Sequence, residues 1–280
     1  MPDPFLQSRL TGKIAVITGA AQGIGETTAR LFAARGIEGL LLTDRNSKKG
    51  EAVAASLQAA GHKAVFIAAD LADPAQVARI VPAAEAAFGR VDMLCNIAAN
   101  TERGSIIDTD LALFDRIFAV NVRAPFFLIQ DVVRLMQKHR TEGSIVNVLS
   151  VNAHVGAPRL AAYSASKGAL ATLTKNTAAA VNAQRIRVNG ILPGWVDTPG
   201  EHETLKRFHG VADDWLAAAE PSRPFGKLLK ADDVARVIAF LAGPESAPMT
   251  GSLLDYEQTV FGAFGEGFAG YPKAEPDAAQ

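Results

Sequence analysis

The chain has 280 residues, of which 49% are hydrophobic, and its formal net charge is −1. This balance argues against nucleic acid or an anionic membrane as the main partner, because both normally need a basic surface. One cysteine, Cys95, excludes an intrachain disulfide and favours a reducing, cytoplasmic location. The five histidines show no metal-ligand spacing, so no metal site is predicted. Residues 1–5 lack the pattern of a signal peptide, and no apolar run reaches the roughly 18 residues that span a bilayer.

Short β-branched runs alternate with longer, Ala-rich stretches along the chain. The predicted strands are 14–17, 39–43, 64–67, 91–95, 144–148, 187–191 and 251–254. The predicted helices are 24–34, 48–60, 74–88, 111–138, 160–181 and 231–242. Strands that are apolar throughout and separated by helices indicate a parallel sheet covered on both faces. We therefore predict an α/β fold with a doubly wound, mostly parallel sheet.

The domain organisation follows from the absence of a Pro-, Gly- or Ser-rich linker. We predict one domain over residues 1–280, with a core at about 10–255. Residues 194–226 are polar and Pro-rich, and a connection of that length is usually functional. We call them the substrate segment. Residues 256–280 are rich in Gly, Phe and Pro and are predicted to form an irregular tail.

A glycine-rich turn follows the first predicted strand directly. It reads Thr18-Gly19-Ala20-Ala21-Gln22-Gly23-Ile24-Gly25, and a predicted helix comes next. Glycines let the backbone approach a pyrophosphate closely, and the start of the helix supplies free N–H groups. The spacing differs from G-x-G-x-x-G, so an ordinary strand–helix turn stays open as the alternative.

Acidic residues end the second and third predicted strands. Asp44 lies where a carboxylate would accept hydrogen bonds from a ribose diol and repel a 2′-phosphate, which favours NAD over NADP. Gln22, where a basic residue would suit NADP, supports the same choice, whereas the adjacent Arg45 could pair with a phosphate. Asp70 and Leu71 are predicted to face the adenine, with a helix cap as the alternative role of Asp70.

A phenol and an ammonium group occur one helical turn apart. Tyr163 and Lys167 are spaced i and i+4 on the helix predicted at 160–181. A tyrosine acts as a base near neutral pH only if its pKa falls well below about 10, and a neighbouring cation favours this. Ser150 ends the fifth predicted strand, where an open α/β sheet binds ligands. Asn121 lies inside a helical stretch among apolar residues, although asparagine is a poor helix former. Its side chain either has a task in the site, such as holding a water beside Lys167, or is a buried amide with all its hydrogen bonds made.

Taken together, these motifs resemble the short-chain dehydrogenase/reductase family over about residues 10–255. The resemblance is carried by Thr18-Gly19-x-x-x-Gly23-Ile24-Gly25, Asn121, Ser150, Tyr163-x-x-x-Lys167 and Pro193-Gly194-x-x-x-Thr198. It implies a seven-stranded Rossmann sheet with helices on both faces, and a dimer or tetramer formed through helices such as 111–138 and 160–181.

The resemblance also implies roles for individual residues. Tyr163 would be the acid/base, Ser150 would orient the substrate oxygen, and Lys167 would bind the nicotinamide ribose and lower the Tyr163 pKa. Asn121 would hold a proton-relay water. The implied cofactor contacts are Gly19, Gln22, Gly23, Ile24, Gly25, Asp44, Asp70, Leu71, Asn96, Ala98, Tyr163, Lys167, Pro193, Gly194, Val196 and Thr198.

Two departures from the family pattern are visible. After the fourth strand the chain reads Asn96-Ile97-Ala98-Ala99 where the family has Asn-Asn-Ala-Gly. Near the C-terminus it reads Leu254-Asp255-Tyr256-Glu257-Gln258 in place of Val-Asp-Gly-Gly, so we expect an atypical C-terminal turn. Neither departure changes Asn121, Ser150, Tyr163 or Lys167, the catalytic tetrad that the resemblance implies.

The positions that would face the substrate are mostly polar. They are Asn100, Thr101, Glu102, Arg103, Asn152, His154, Trp195, Glu201 and His202. With Ser150 and Tyr163, the predicted substrate contacts are Glu102, Asn152, His154 and Trp195. Because unmatched buried polar groups cost about 1–3 kcal/mol each, a hydroxylated substrate fits better than an apolar one; the alternative is that several of these side chains point to water.

Three functions remain open from the sequence. The first is an NAD-dependent oxidoreductase that interconverts a secondary alcohol and a carbonyl, acting on a small polar molecule such as a sugar or polyol. The second is a reductase of less polar ketones or acyl substrates, with NADP as a possible cofactor. The third is a non-catalytic nucleotide-binding protein on the same fold. The intact tetrad disfavours the third.

Overall fold

Seven parallel strands form the central sheet in the computed structural model, which describes residues 10–261. In chain order they are β1 Ile14–Thr18, β2 Gly39–Asp44, β3 Ala64–Ala68, β4 Met93–Asn96, β5 Ser144–Val148, β6 Arg187–Pro193 and β9 Leu253–Tyr256. Two short strands, β7 Val196–Asp197 and β8 Leu229–Lys230, pair separately. The order across the main sheet is β3-β2-β1-β4-β5-β6-β9. The predicted doubly wound, parallel α/β fold is confirmed.

Ten α-helices occur in the described residues, and they cover both faces of the sheet. They are α1 Gly23–Ala34, α2 Ser47–Ala59, α3 Pro74–Val77, α4 Ile80–Phe88, α5 Leu111–Phe118, α6 Ala124–His139, α7 Ala161–Val181, α8 Pro199–His209, α9 Trp215–Ala219 and α10 Ala231–Ala242. Between residues 10 and 261, none of the helices combines the length and apolar character needed to cross a bilayer.

Alternate residues of each central strand pack into different hydrophobic cores. In β1, Ala15 and Ile17 join the core under α1, α2 and α10, while Val16 joins the core under α4, α6 and α7. In β2, Leu41 faces the second core and its two neighbours face the first. Side chains of a strand alternate between faces, so strands buried on both sides must be apolar throughout.

Some predicted elements differ in detail from the observed ones. The helix predicted at 74–88 is divided into α3 and α4, and the helix predicted at 111–138 contains a π-helical turn, Ala119–Arg123. The strand predicted at 251–254 is β9, two residues later. Of the predicted tail at 256–280, residues 262–280 lie outside the described residues.

The substrate segment contains two helices, α8 and α9, where the sequence predicted only a long loop. Thr198 caps α8, because its hydroxyl accepts a hydrogen bond from the Glu201 amide at 3.2 Å. Pro199 occupies the first helical position, where its missing N–H costs nothing. Gly210 ends the helix with a left-handed φ of 62°.

The sheet order creates a crevice between β1 and β4. The chain adds β2 and β3 on one side of β1 and then crosses to place β4 on the other side. Ligands of open α/β sheets bind at such a switch point, beyond the carboxyl ends of the strands. The Thr18 hydroxyl connects the two strand ends, because it accepts hydrogen bonds from the amides of Ile97 at 2.9 Å and Ala98 at 3.1 Å.

Candidate active site

A cavity of about 1460 Å³ follows the carboxyl ends of the strands. It is lined by the glycine turn, the ends of β2, β4 and β5, the start of α7, and the substrate segment. Sites for single small ligands are typically about 300–1,000 Å³. The cavity therefore has room for a dinucleotide and a second small molecule.

The glycine turn forms a cradle in which side chains would block the backbone. A Cβ on Gly19, which has a φ of 69°, would lie 2.9 Å from the Ala98 backbone. A Cβ on Gly25 would overlap the carbonyl of Gly19. No side-chain hydrogen bond from Gln22 caps α1, so first-turn N–H groups are free to bind a phosphate. This local geometry suits the pyrophosphate of a dinucleotide.

Asp44 is held at the end of β2 by two backbone groups. Its carboxylate accepts hydrogen bonds from the amides of Ala21 at 3.3 Å and Asn46 at 2.9 Å. The residue lines the cavity next to the cradle, where remaining lone pairs can receive a ribose diol. Asp70 also lines the cavity, and Asp73, not Asp70, caps α3. Asp70 therefore does not cap this helix, which was its alternative role.

Asn96 is the last residue of β4 and Ala98 follows it, but the two residues have different surroundings. Ala98 lines the cavity. Asn96 is buried behind the cavity wall and donates a hydrogen bond from Nδ2 to Oδ1 of Asn147 at 2.9 Å. Asn147 in turn donates to the Thr174 hydroxyl at 2.9 Å, so this chain of polar groups connects β4, β5 and α7.

Ser150, Tyr163 and Lys167 come together at one point of the cavity wall. Tyr163 forms a hydrogen bond with Ser150, whose hydroxyl also accepts from the Asn152 amide at 3.2 Å. The Lys167 ammonium nitrogen lies 5.7 Å from the centroid of the Tyr163 ring and donates to the Val148 carbonyl at 2.7 Å. The structure thus assembles the three residues that the sequence placed 13 and 17 positions apart from Ser150.

Burial dominates the proton affinities of the phenol and the ammonium. Burial raises the pKa of Tyr163 to about 12; the hydrogen bond with Ser150 and the charge of Arg103 lower it, and Glu201 raises it. Burial lowers the pKa of Lys167 to about 7. The protein's own groups therefore favour a neutral phenol. The sequence predicted that Lys167 would lower the Tyr163 pKa, and Lys167 alone does not produce that effect.

Asn121 occupies the π-helical turn and is fully buried. Its Nδ2 donates to the carbonyl of Asn100 and to the hydroxyl of Ser166, both at 3.0 Å, and its Oδ1 accepts from the Asn100 amide at 2.7 Å. The amide thus fixes the segment after β4 against α7. π-Helical turns frequently mark functional sites. The proton-relay water stays a prediction.

The remaining cofactor positions line the same cavity as Ser150, Tyr163 and Lys167, whereas Asn121 is buried and does not line it. They are Gly23, Ile24, Leu71, Pro193, Gly194, Val196 and Thr198. A Cβ on Gly194 would overlap the carboxylate of Glu257, so a side chain there would displace that carboxylate.

The predicted substrate contacts separate into two groups. Glu102, Asn152 and Trp195 line the cavity. His154 is exposed and does not line it, because its ring pairs with Asp255 at 2.7 Å. We therefore leave His154 out of the proposed substrate site.

His202 supports the substrate segment. Its ring bonds to Asp197 at 2.7 Å and accepts from the indole N–H of Trp215 at 3.2 Å. Trp215 also stacks on Trp195, with ring centroids 5.5 Å apart. These contacts fix the indole of Trp195 in the cavity wall.

The sequence predicted Arg103 and Glu201 to face the substrate, but it predicted neither their pairing nor the position of Glu257 in the cavity wall. Arg103 donates to Glu201 at 3.2 Å, and both charges act on the pKa of Tyr163. The Glu257 side chain is 6% exposed and accepts hydrogen bonds from the Trp195 amide and from Arg223, each at 3.2 Å. The departure at the C-terminal turn was the only sequence signal for Glu257.

Comparisons with known proteins agree with this geometry. A family model described as Enoyl-(Acyl carrier protein) reductase matches residues 19–257. The chain is 33% identical over 245 residues to (-)-isopiperitenol/(-)-carveol dehydrogenase, mitochondrial, of Mentha piperita, covering 87% of this chain and 91% of the relative. It is 33% identical over 244 residues to galactitol 2-dehydrogenase of Agrobacterium fabrum, covering 85% and 93%.

Solved structures show the same architecture. A short-chain type dehydrogenase/reductase from Mycobacterium marinum has a TM-score of 0.81 at 29% identity, covering 90% of this chain and 96% of that one. A 3-ketoacyl-(acyl-carrier-protein) reductase from Brucella melitensis, complexed with NADH, has a TM-score of 0.77 at 34% identity, covering 88% and 97%. With its glycine cradle, its strand order and these similarities, the chain belongs to the short-chain dehydrogenase/reductase family of oxidoreductases, which bind a nicotinamide cofactor.

Proposed function

We propose that the protein is an NAD-dependent oxidoreductase that interconverts a secondary alcohol and a carbonyl on a polar, hydroxylated substrate such as a sugar or polyol. The observation that carries the proposal is one cavity lined both by the glycine cradle with Asp44 and by Ser150, Tyr163 and Lys167. A dinucleotide that lies along the strand ends would place its reactive end beside the phenol.

The roles of the side chains follow from their atoms. In oxidation, the Tyr163 oxygen takes the hydroxyl proton of the substrate while the Ser150 hydroxyl orients the reacting oxygen. Bound NAD supplies the hydride acceptor, and NADH the donor in the reverse direction. Lys167, buried behind Tyr163, is placed to donate to a ribose hydroxyl. In reduction, the neutral phenol gives its proton to the forming alkoxide.

Asp44 supports NAD over NADP. Two backbone amides fix its carboxylate at the end of β2, where a 2′-phosphate would be repelled. Two cations lie near this end of the cavity, Arg45 and Lys49. The Lys49 ammonium donates to Gln22 at 2.8 Å and pairs with Glu203 at 3.8 Å, so part of its charge is already compensated.

Polar groups support a hydroxylated substrate. Glu102, Asn152 and Glu201 all line the part of the cavity beyond Tyr163. Glu102 and Glu201 already have partners in the wall, so the Asn152 amide is the group that an apolar substrate would leave without a hydrogen bond, at about 1–3 kcal/mol. One relative, galactitol 2-dehydrogenase, is named for a polyol substrate.

A second candidate is a reductase of less polar ketones or acyl substrates. Trp195, Leu205, Val211 and Trp215 also line the cavity and form an apolar wall on the side of the substrate segment. Relatives named for a carveol and for a 3-ketoacyl group are consistent with it. The two candidates differ in the substrate that is turned over fastest.

We also propose that the protein forms a homodimer or homotetramer. Leu111 and Phe114 on α5 and Phe126 and Phe127 on α6 are exposed, between 41% and 75% of their surface. Exposed apolar groups on adjacent helices are typical of interaction surfaces. Light scattering coupled to gel filtration tests this, and a monomer at micromolar concentration would contradict it. The cytoplasmic location stays a prediction.

A substrate panel tests the function. Sugars, polyols, hydroxy acids and aliphatic alcohols are supplied with NAD or NADP, and reduced cofactor is measured by its absorbance. We expect the fastest turnover with NAD and a hydroxylated compound. The Tyr163→Phe variant should turn that compound over at no more than a residual rate. The fastest turnover with an aliphatic alcohol would favour the second candidate, and no turnover of any alcohol would overturn the proposal.

A further inference from the structure

A short backbone bridge places two arginines on the same wall of the cavity. Gly104 and Leu160 form an isolated parallel bridge, in which the Gly104 amide donates to the Arg159 carbonyl at 3.0 Å. Arg103 and Arg159 are the residues directly before the two bridged positions. Both line the cavity that contains Tyr163. The bridge therefore holds two guanidinium-bearing residues close to each other.

The charge of Arg103 is already compensated. Its side chain is 14% exposed and pairs with Glu201 at 3.2 Å, while it also donates to the Thr101 carbonyl at 2.7 Å and to the His209 ring at 3.3 Å. The same Glu201 oxygen accepts from the indole N–H of Trp195 at 3.0 Å. Glu201 thus has its partners within the wall.

Arg159 has no such partner. Its exposed side chain forms no hydrogen bond or ion pair with any residue between 10 and 261. The charge of Arg159 helps to lower the pKa of Asp108, but the two side chains are beyond ion-pair distance. The Asp108 carboxylate instead accepts a hydrogen bond from the Ser105 amide. The pKa of His209 is lowered by burial and by the charges of Arg103 and Arg159, while the charge of Glu201 raises it, so the Arg159 charge acts at this wall.

Every acid on the substrate side of the cavity already has a basic partner. Glu102 pairs with Arg116 at 3.5 Å and Arg207 at 3.9 Å, Glu203 pairs with Lys49 at 3.8 Å, and Glu257 pairs with Arg223 at 3.2 Å. Glu201 pairs with Arg103. Among the residues described, Arg159 is therefore the one arginine on the substrate side of the cavity without an ion-pair partner.

We propose that Arg159, next to Arg103, binds a carboxylate of the substrate. This rests on the proposed function and refines it: the substrate is a hydroxy acid, such as a sugar acid, and not a neutral polyol. A guanidinium matches a carboxylate with two parallel hydrogen bonds. A single guanidinium balances the one charge of a carboxylate, whereas a phosphate monoester carries about 1.5–2 negative charges near pH 7. The reacting hydroxyl would lie at Tyr163 and the carboxylate nearer the exposed Arg159.

The test compares pairs of substrates that differ mainly in the carboxylate. Gluconate is compared with glucitol, galactonate with galactitol, and 3-hydroxybutyrate with 2-butanol, each with NAD. We expect the acid of the best pair to have a kcat/KM at least tenfold above that of the neutral compound. In Arg159→Gln this acid-to-neutral ratio falls at least tenfold, since a charge-assisted bond is lost. Arg134→Gln, an exposed arginine on α6, is the matched control and keeps the ratio.

A binding measurement gives a readout that does not depend on turnover. The two tryptophans of the chain, Trp195 and Trp215, both line the cavity, so their fluorescence reports ligand binding directly. With NADH present, so that the alcohol cannot be oxidised, gluconate, glucitol and glucitol 6-phosphate are titrated into the wild type and Arg159→Gln. We expect gluconate to bind at least tenfold more tightly than glucitol in the wild type, and the advantage to be lost in the variant.

The outcomes separate this inference from the function on which it rests. Equal use and equal binding of acid and neutral compounds, unchanged in Arg159→Gln, would overturn the carboxylate site while alcohol oxidation stands. Tighter binding of glucitol 6-phosphate than of gluconate would overturn it in favour of a phosphate. If no alcohol is oxidised, the proposed function fails, and the fluorescence titration still decides whether Arg159 binds a carboxylate.

Discussion

The Lys167 ammonium nitrogen lies 5.7 Å from the centroid of the Tyr163 ring, one turn further along α7. Both groups are withdrawn from bulk water, and burial shifts their pKa values in opposite directions, up to about 12 for the phenol and down to about 7 for the ammonium. Both shifts favour the neutral form. Each has a consequence that can be measured.

The first prediction concerns the pH dependence of the reaction. Because burial raises the pKa of Tyr163 to about 12, the phenolate needed for alcohol oxidation becomes more abundant as pH rises. We expect kcat/KM for oxidation to rise with pH between 7 and 9, and kcat/KM for carbonyl reduction not to rise. Steady-state rates in both directions provide the measurement. Oxidation that slows as pH rises through this range would contradict the role of Tyr163.

The second prediction concerns stability. Lys167 has a pKa of about 7 in the folded protein and of about 10.5 in the unfolded chain, so between these values the unfolded state binds more protons. Stability should therefore rise with pH from 7 to 8.5, by at most about 1.4 kcal/mol per pH unit from this group. Lys167→Met removes that contribution.

Urea unfolding at pH 7.0 and 8.5 measures the effect. Lys175→Met, which changes an exposed lysine of the same helix, is the control and should keep the wild-type dependence. The same pH dependence in Lys167→Met and in the wild type would show that burial does not lower the pKa of Lys167.

The third prediction concerns the cofactor. With its carboxylate fixed by the amides of Ala21 and Asn46, Asp44 should give NAD at least a tenfold higher kcat/KM than NADP, about 1.4 kcal/mol. Asp44→Ala should narrow this gap by removing the repulsion of the 2′-phosphate. Asp73→Ala, which removes the cap of α3, is the control. Equal use of both cofactors by the wild type would show that Arg45 and Lys49 dominate.

The fourth prediction concerns the atypical C-terminal turn. Glu257 is 6% exposed and connects the Trp195 amide to Arg223, so it fastens the substrate segment to the end of β9. Glu257→Gln should destabilise the protein by about 1–3 kcal/mol, since the charge of Arg223 is left without its partner. The double variant with Arg223→Gln should recover part of that loss. Thermal unfolding of the four proteins gives the coupling, and strictly additive losses would mean that the two side chains act independently.

The fold could be predicted because burial on both sides leaves a plain pattern in the strands. Val16 and its neighbours Ala15 and Ile17 face opposite cores, so the whole strand reads as apolar. The π-helical turn left no such pattern. It arises around the Asn121 amide, whose partners Asn100 and Ser166 are 21 and 45 residues away.

The site was predictable where a motif is local and was not where partners are distant. Tyr163 and Lys167 are four residues apart on one helix. Arg103 and Glu201, which pair in the cavity, are 98 residues apart, and no periodicity connects them. His154 follows Ser150 closely in the chain, yet the short helix after β5 directs it to Asp255 at the surface. Proximity in sequence was therefore a poor guide to the substrate contacts.

The most direct test of the account is the turnover of Tyr163→Phe. Its kcat for the best alcohol of the panel should fall by about 10²–10⁴-fold, as expected when a general acid/base is lost, while NAD binding, followed by tryptophan fluorescence, stays within about threefold of the wild type. Phenylalanine keeps the ring and removes only the hydroxyl that bonds to Ser150. Near-normal turnover in this variant would contradict the assignment of Tyr163 as the group that moves the proton.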